Sequence, residues 1–126
     1  MTQEAPLILV IDYEPNLSSI VQRILEREGY RVITAKDGIH ALELVRESQP
    51  DMVLLDLMLS DISGHELCCR IREISPCRIV YFTPLTDLKY FGQQKELNLV
   101  DGFINKPASM KRIVSVVGNT LKRGEY

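Results

Sequence analysis

The sequence predicts an α/β fold, a doubly wound five-stranded parallel sheet in the order 2-1-3-4-5 with five helices. Three observations carry that expectation. Short β-branched apolar runs alternate with amphipathic segments along the whole chain. The runs are continuously apolar, which suits strands covered on both faces. Charged and hydroxyl residues stand directly after particular runs, where ligands sit in open α/β sheets.

The first strand is Leu7-Ile8-Leu9-Val10-Ile11. Leu17, Ile20, Val21, Ile24 and Leu25 then recur as one stripe of a helix, with Pro15 at its first turn and Gly29 at its end. A second strand covers Arg31 to Ala35. Asp37 is placed to cap the next helix, whose inner face carries Ala41, Leu42 and Val45. Pro50 breaks that helix, and Met52-Val53-Leu54-Leu55 is the third strand, running into Asp56. Residues 57 to 63 read as a loop. A third helix from about Gly64 to Ile74 buries Leu67, Ile71 and Ile74. Arg78 to Phe82 is the fourth strand, and a less regular fourth helix is expected between about Asp87 and Glu96. Residues 101 to 104 form a short fifth strand. The fifth helix, roughly 108 to 122, carries Met110, Ile113, Val114, Val117 and Leu121 at helical spacing.

Length and composition set limits. A chain of 126 residues fits one domain, expected over residues 5–122, and is long enough to bury a core without staples. A net charge of −2 supplies no field for holding nucleic acid or an anionic membrane, so this domain is expected to bind neither directly. The N-terminus lacks the basic start and apolar run of a signal peptide, and no stretch suits a membrane span. The expected location is cytoplasmic. Cys68, Cys69 and Cys77 form no C-x-x-C pair and read as small apolar residues. His40 and His65 lack ligand spacing and read as solvent-facing.

In the flavodoxin-like order, strands one and three are neighbours at the point where the order reverses. Asp12 and Asp56 would then face one crevice, with Thr83 and Lys106 closing its far side. Carboxylates crowded together favour a hard divalent cation such as Mg²⁺. An aspartate can attack phosphorus to give an aspartyl phosphate. A cation and a lysine would offset charge on the transferring oxygens, and a threonine hydroxyl can donate to one of them.

At these residues the sequence resembles the receiver domain of response regulators (CheY-like) over about residues 6 to 121. The matching segments are Leu7 to Pro15, Asp51 to Leu59, the Asp61-Ile62-Ser63-Gly64 turn, Thr83 and Lys106-Pro107. The resemblance implies that Asp56 accepts a phosphoryl group from a sensor histidine kinase or phosphotransfer protein. It implies that Asp12, Asp56 and the backbone carbonyl of Met58 hold Mg²⁺, that Thr83 bonds the phosphoryl group and that Lys106 pairs with it. Phe103 falls where the family keeps an aromatic that turns inward as the threonine moves. The Lys106–Pro107 bond is expected to be cis. An output partner or fused effector domain would be met through the face of the fourth helix, fifth strand and fifth helix, with Lys89, Tyr90, Phe91 and Lys111 among its residues.

Four departures stand out. The family's second acidic residue, a direct Mg²⁺ ligand, is Tyr13 here, so weakened Mg²⁺ binding is expected, with Glu14 the candidate substitute. Pro84 follows the threonine where a small residue is usual, and Ser60 stands where proline is common. The stretch from Thr83 to Phe103 is about one residue longer than in compact members. Two functions follow: a phosphorylation-driven switch, which Asp56, Thr83 and Lys106 favour, or a pseudo-receiver that binds partners with impaired phosphorylation, which Tyr13 and Pro84 favour. An unrelated flavodoxin-like binder is disfavoured because no Gly- or Ser/Thr-rich phosphate loop follows the first strand.

Overall fold

The structure is a computed structural model that describes residues 4–84 and 99–122. The strands are β1 (Leu7–Ile11), β2 (Arg31–Ala35), β3 (Met52–Leu55), β4 (Arg78–Thr83) and β5 (Gly102–Asn105). The helices are α1 (Pro15–Arg27), α2 (Gly38–Ser48), α3 (Gly64–Ile74) and α4 (Met110–Lys122). All neighbouring strands pair in parallel, in the order β2-β1-β3-β4-β5.

Because side chains alternate across a strand, each apolar run feeds two cores. Leu9, Ile11, Val53, Leu55, Ile79 and Tyr81 meet Ala41, Leu42 and Val45 of α2 and Leu67, Cys68 and Ile71 of α3. Ile8, Val10, Met52, Leu54, Val80 and Phe82 meet Val21, Ile24 and Leu25 of α1 and Ile113 and Val117 of α4. Continuous apolar sequence is therefore what a sheet sandwiched between helix layers requires.

Local signals end the helices. Pro15 opens α1, and Gly29 follows its C-cap with φ of +93°. The Asp37 carboxylate accepts from the His40 N–H at 2.8 Å, and the Ser63 hydroxyl accepts from the Glu66 N–H at 3.1 Å. Gly64 sits against the backbone of the β3–α3 loop, where an added Cβ would stand 2.5 Å from Leu57 Cα.

Some expectations are corrected. The described residues contain four helices, not five. The helix expected between Asp87 and Glu96, with Lys89, Tyr90 and Phe91, lies outside the described residues. β4 continues through Thr83, and β5 spans Gly102–Asn105 rather than 101 to 104. α4 begins at Met110 because Ser109 caps it, accepting at Oγ from the Arg112 N–H at 3.1 Å. Ile20 does not join the core and is 54% exposed, since α1 turns only its Val21–Ile24–Leu25 stripe to the sheet. His65 is half-buried rather than solvent-facing, because it folds against Cys69 one turn along α3, with its Nε2 3.8 Å from the thiol sulfur.

Candidate functional site

The carboxyl edge of the sheet is held in register beyond its assigned ends. The Asp12 N–H donates to the Ala35 carbonyl at 3.0 Å, and the Asp56 N–H donates to the Ile11 carbonyl at 3.1 Å. The Lys106 N–H donates to the Thr83 carbonyl at 3.2 Å, and the Lys106–Pro107 peptide is cis, as the resemblance implied. These ladder bonds fix the backbone under four side chains drawn from distant parts of the sequence.

Asp12, Asp56 and Thr83 are each 3% exposed or less, so their polar groups depend on one another. The Lys106 Nζ lies 2.5 Å from Asp12 Oδ2 and 2.9 Å from Asp56 Oδ2. The Thr83 hydroxyl donates to Asp56 Oδ1 at 3.1 Å, and the Met58 N–H donates to the same oxygen at 3.1 Å. Asp12 Oδ1 accepts from the Glu14 N–H at 3.0 Å. The ammonium also stands 5.0 Å from the centroid of the Phe82 ring, whose face favours a cation.

The electrostatics follow from burial opposed by pairing. Burial pushes the Asp12 carboxyl up, outweighing the Lys106 ammonium and the Glu14 N–H that pull it down. For Lys106 burial works to lower the pKa, but hydrogen bonds to Asp12 and Asp56 outweigh it and hold the ammonium protonated above its ordinary range. The trio formally sets two carboxylates against one ammonium.

A cleft of about 310 Å³ opens over this group, lined by Tyr13, Glu14, Leu17, Asp56, Met58, Pro84 and Lys106. A larger hollow of about 520 Å³ at the amino ends of β3 and β4 offers Asp51 and Arg78 but no paired carboxylates. The structure thus brings Asp12, Asp56, Thr83 and Lys106 together, with Glu14 and Met58 at the cleft. Phe103 is not part of that group; it is half-buried and packs against the core shared by α2 and α3.

Tyr13 is 52% exposed at the cleft. The neighbouring Glu14 carboxylate raises its phenol pKa. Among the described residues no group of three or more His, Cys, Asp or Glu side chains is placed to hold a metal. The donor set still fits Mg²⁺, which is commonly bound through one or two carboxylates with water completing the octahedron. It fits as a two-carboxylate site rather than a three-carboxylate one.

Sequence reasoning missed three supports. Phe82 reads only as a strand residue, yet it lies beneath the ammonium. Asp61 reads only as part of a turn, yet its carboxylate accepts from the Gly38 and Ile39 N–H groups at 2.8 and 2.9 Å and ties the Met58 loop to α2. Arg72 drew no notice in the sequence, yet it bonds the Leu99 carbonyl and Asp101 and so anchors the approach to β5. Its place one turn beyond Cys68 on a buried face was the available signal.

The comparisons with known proteins agree with this geometry. The family model described as the response regulator receiver domain matches residues 8–118. The chain is 37% identical over 118 residues to the DNA-binding response regulator MtrA of Mycolicibacterium smegmatis, covering 94% of this chain and 51% of that protein. It is 34% identical over 119 residues to the alkaline phosphatase synthesis transcriptional regulatory protein PhoP of Bacillus subtilis, covering 94% and 49%. The chain thus spans about half the length of these curated relatives. Among solved structures, a two-component response regulator from Clostridium difficile superposes with a TM-score of 0.87 at 26% identity, covering 96% of this chain and 99% of that one. No helix among the described residues is long and apolar enough to cross a membrane. With its sheet order, its Asp12–Asp56–Lys106 group and this match over most of its length, the chain belongs to the family of response regulator receiver domains of two-component systems.

Proposed function

We propose that the chain is a phosphorylation-controlled switch that accepts a phosphoryl group on Asp56 from a phosphohistidine of a sensor kinase or phosphotransfer protein. The observation that carries this reading is the division of labour around Asp56. One carboxylate oxygen accepts from Thr83 and the Met58 N–H, and the other faces the Lys106 ammonium beneath an open cleft. In the transfer the donor's P–N bond breaks, an Asp56 oxygen forms the new P–O bond, and the imidazole leaves with a proton. Lys106 offsets charge on the phosphoryl oxygens, and Thr83 donates to one of them. Asp12, Asp56 and the Met58 carbonyl would hold Mg²⁺, which supplies the further positive charge such a transfer needs.

The output side of this reading is the face of β5 and α4, with Phe103 as the side chain that responds. Phosphorylation biases such an element by local charge and packing. The relatives' names, a DNA-binding response regulator and a transcriptional regulatory protein, support an output in transcription through a partner or a fused effector. A cytoplasmic location accompanies that role. A second reading, an interaction module with impaired phosphorylation, is favoured by one observation: Tyr13 stands at the cleft where a further carboxylate would serve, and no group of three or more His, Cys, Asp or Glu side chains among the described residues is placed to hold a metal.

The deciding experiment is incubation with acetyl phosphate and Mg²⁺ followed by intact-mass measurement. The switch requires one phosphoryl adduct that Asp56→Asn abolishes. An unmodified mass at high Mg²⁺, with acetyl phosphate and with a phosphorylated histidine donor, would leave the interaction module standing instead.

A further inference from the structure

We propose that Asp61 is a positioning residue for the acceptor. By pinning the loop between β3 and α3 to the first turn of α2, it holds the Met58 N–H on Asp56 and so sets how fast Asp56 takes up a phosphoryl group. The inference rests on the reading of Asp56 as the acceptor.

The loop has little packing of its own. Its far end is closed by the Gly64 N–H, which donates to the Leu57 carbonyl at 2.9 Å, and by Ser63, which caps α3. Between those points Met58, Ser60 and Asp61 are exposed, and Leu59 and Ile62 are half-buried. Asp61 supplies the restraint that packing does not. Its Oδ1 accepts from the Gly38 N–H at 2.8 Å and the Ile62 N–H at 2.9 Å, and its Oδ2 accepts from the Ile39 N–H at 2.9 Å. Gly38 lets the two segments close on each other, since a Cβ there would stand 2.5 Å from Ile62 Cγ1. The helix at the other side of this joint is itself fixed, because Ala41, Leu42 and Val45 are buried against the sheet.

At the near end of the span the Met58 N–H donates to Asp56 Oδ1 at 3.1 Å, beside the Thr83 hydroxyl. That bond orients the carboxylate and leaves Oδ2, the oxygen under the cleft, to meet phosphorus. Its length is already near the upper end for an N–H···O bond, so a loop displaced by a few tenths of an ångström loses it. Rates fall steeply when a reacting group is misplaced, even where the cause lies away from the chemistry. Asp37 provides the contrast: it caps the same helix end through the His40 N–H, a bond that stays within the helix.

The test is phosphorylation of the whole chain by acetyl phosphate with Mg²⁺, followed by intact mass. Asp61→Ala should lower the limiting rate roughly 5- to 50-fold and leave the half-saturating acetyl phosphate concentration little changed. Asp61→Asn keeps an acceptor for the α2 N–H groups and should recover most of the rate. Asp37→Ala should leave the rate unchanged. A rate for Asp61→Ala close to that of the unaltered chain would overturn the proposal, as would an Asp61→Asn rate no better than that of Asp61→Ala. An equal loss in Asp37→Ala would also overturn it, by making the stability of α2 the cause. A second readout needs no phosphorylation: the Met58 amide should exchange with solvent faster in Asp61→Ala than in the unaltered chain. Exchange left unaltered would sink the positioning role even if the rate fell. Failure of the unaltered chain to take a phosphoryl group would overturn the reading of Asp56 and this proposal with it, whereas an unslowed Asp61→Ala would overturn this proposal alone.

Discussion

Asp61, in the loop after β3, accepts a hydrogen bond at 2.8 Å from the backbone N–H of Gly38, the first residue of α2. Its second oxygen accepts from the Ile39 N–H at 2.9 Å, while Asp37 takes the His40 N–H. The first three donors of α2 are thereby satisfied, two of them by a residue more than 20 positions away in sequence. The loop that carries Met58 past Asp56 is thus bound to a helix end, and its position depends on α2.

Asp61→Ala should cost about 1 kcal/mol of stability, in the range of a lost helix cap. Burial works to raise the Asp61 pKa, but the N–H groups of Gly38, Ile39 and Ile62 outweigh it and hold it below the ordinary value. A depressed folded-state pKa gives stability that is present above the unfolded value and lost as pH falls through the folded one. The deficit of Asp61→Ala in urea denaturation should therefore be full at neutral pH and vanish in acid. A deficit independent of pH would mean that the capping charge is not its cause.

Two glycines should respond in opposite directions to alanine. At Gly64 a Cβ would stand 2.5 Å from Leu57 Cα and 2.8 Å from the Asp56 carbonyl oxygen, both backbone atoms that cannot step aside. Gly64→Ala should cost about 1–3 kcal/mol and disturb Asp56 itself. At Gly118, within α4, the added Cβ meets nothing closer than the Tyr30 hydroxyl at 3.7 Å. Gly118→Ala should raise stability by roughly 0.5–1 kcal/mol through helix propensity. Thermal unfolding of the pair checks both signs.

These supports explain why the sequence was legible in some places and silent in others. Strands were readable because burial on both faces demands unbroken apolar runs such as Leu7 to Ile11. Asp12 and Asp56 were readable because the strands they follow are neighbours once the sheet reverses at β1 and β3. What periodicity could not reveal is which partner a polar side chain chooses. Lys106 reaches both aspartates across sequence separations of 94 and 50 residues, and only the assembled sheet brings them together. Ile20 fits the helical spacing of α1 yet stays exposed, because spacing fixes a side chain's angle and not the width of the surface it meets. The helix expected between residues 87 and 96 lies outside the described residues, which contain four helices.

Asp101 should contribute a second acid-sensitive increment, remote from the cleft. It precedes β5 and accepts from Arg72 at 2.8 Å, from the Ile79 N–H at 2.9 Å and from Arg78 at 3.4 Å. Burial works to raise its pKa, but these donors outweigh it and hold the carboxyl below the ordinary range. Asp101→Ala should cost about 1.5–3 kcal/mol at neutral pH, the range for hydrogen bonds to a charged group. The same sign argument applies: the difference from the unaltered chain should shrink as pH falls through the folded-state pKa. Urea denaturation between neutral pH and about pH 3 measures it.

The residue at position 13 should tune the site without altering the fold, since Tyr13 is half out in solvent and lies in no core cluster. Tyr13→Asp would add a carboxylate beside Asp12 and raise the negative charge facing a cation. Mg²⁺ affinity should increase roughly tenfold, as expected when a coupled charge is worth about 1.4 kcal/mol. Phosphorylation by acetyl phosphate should accelerate in step. Tyr13→Phe removes the hydroxyl but adds no charge, so it should leave Mg²⁺ affinity close to that of the unaltered chain. If Tyr13→Phe tightened binding as much as Tyr13→Asp, the phenol hydroxyl, and not the missing carboxylate, would be what limits the site.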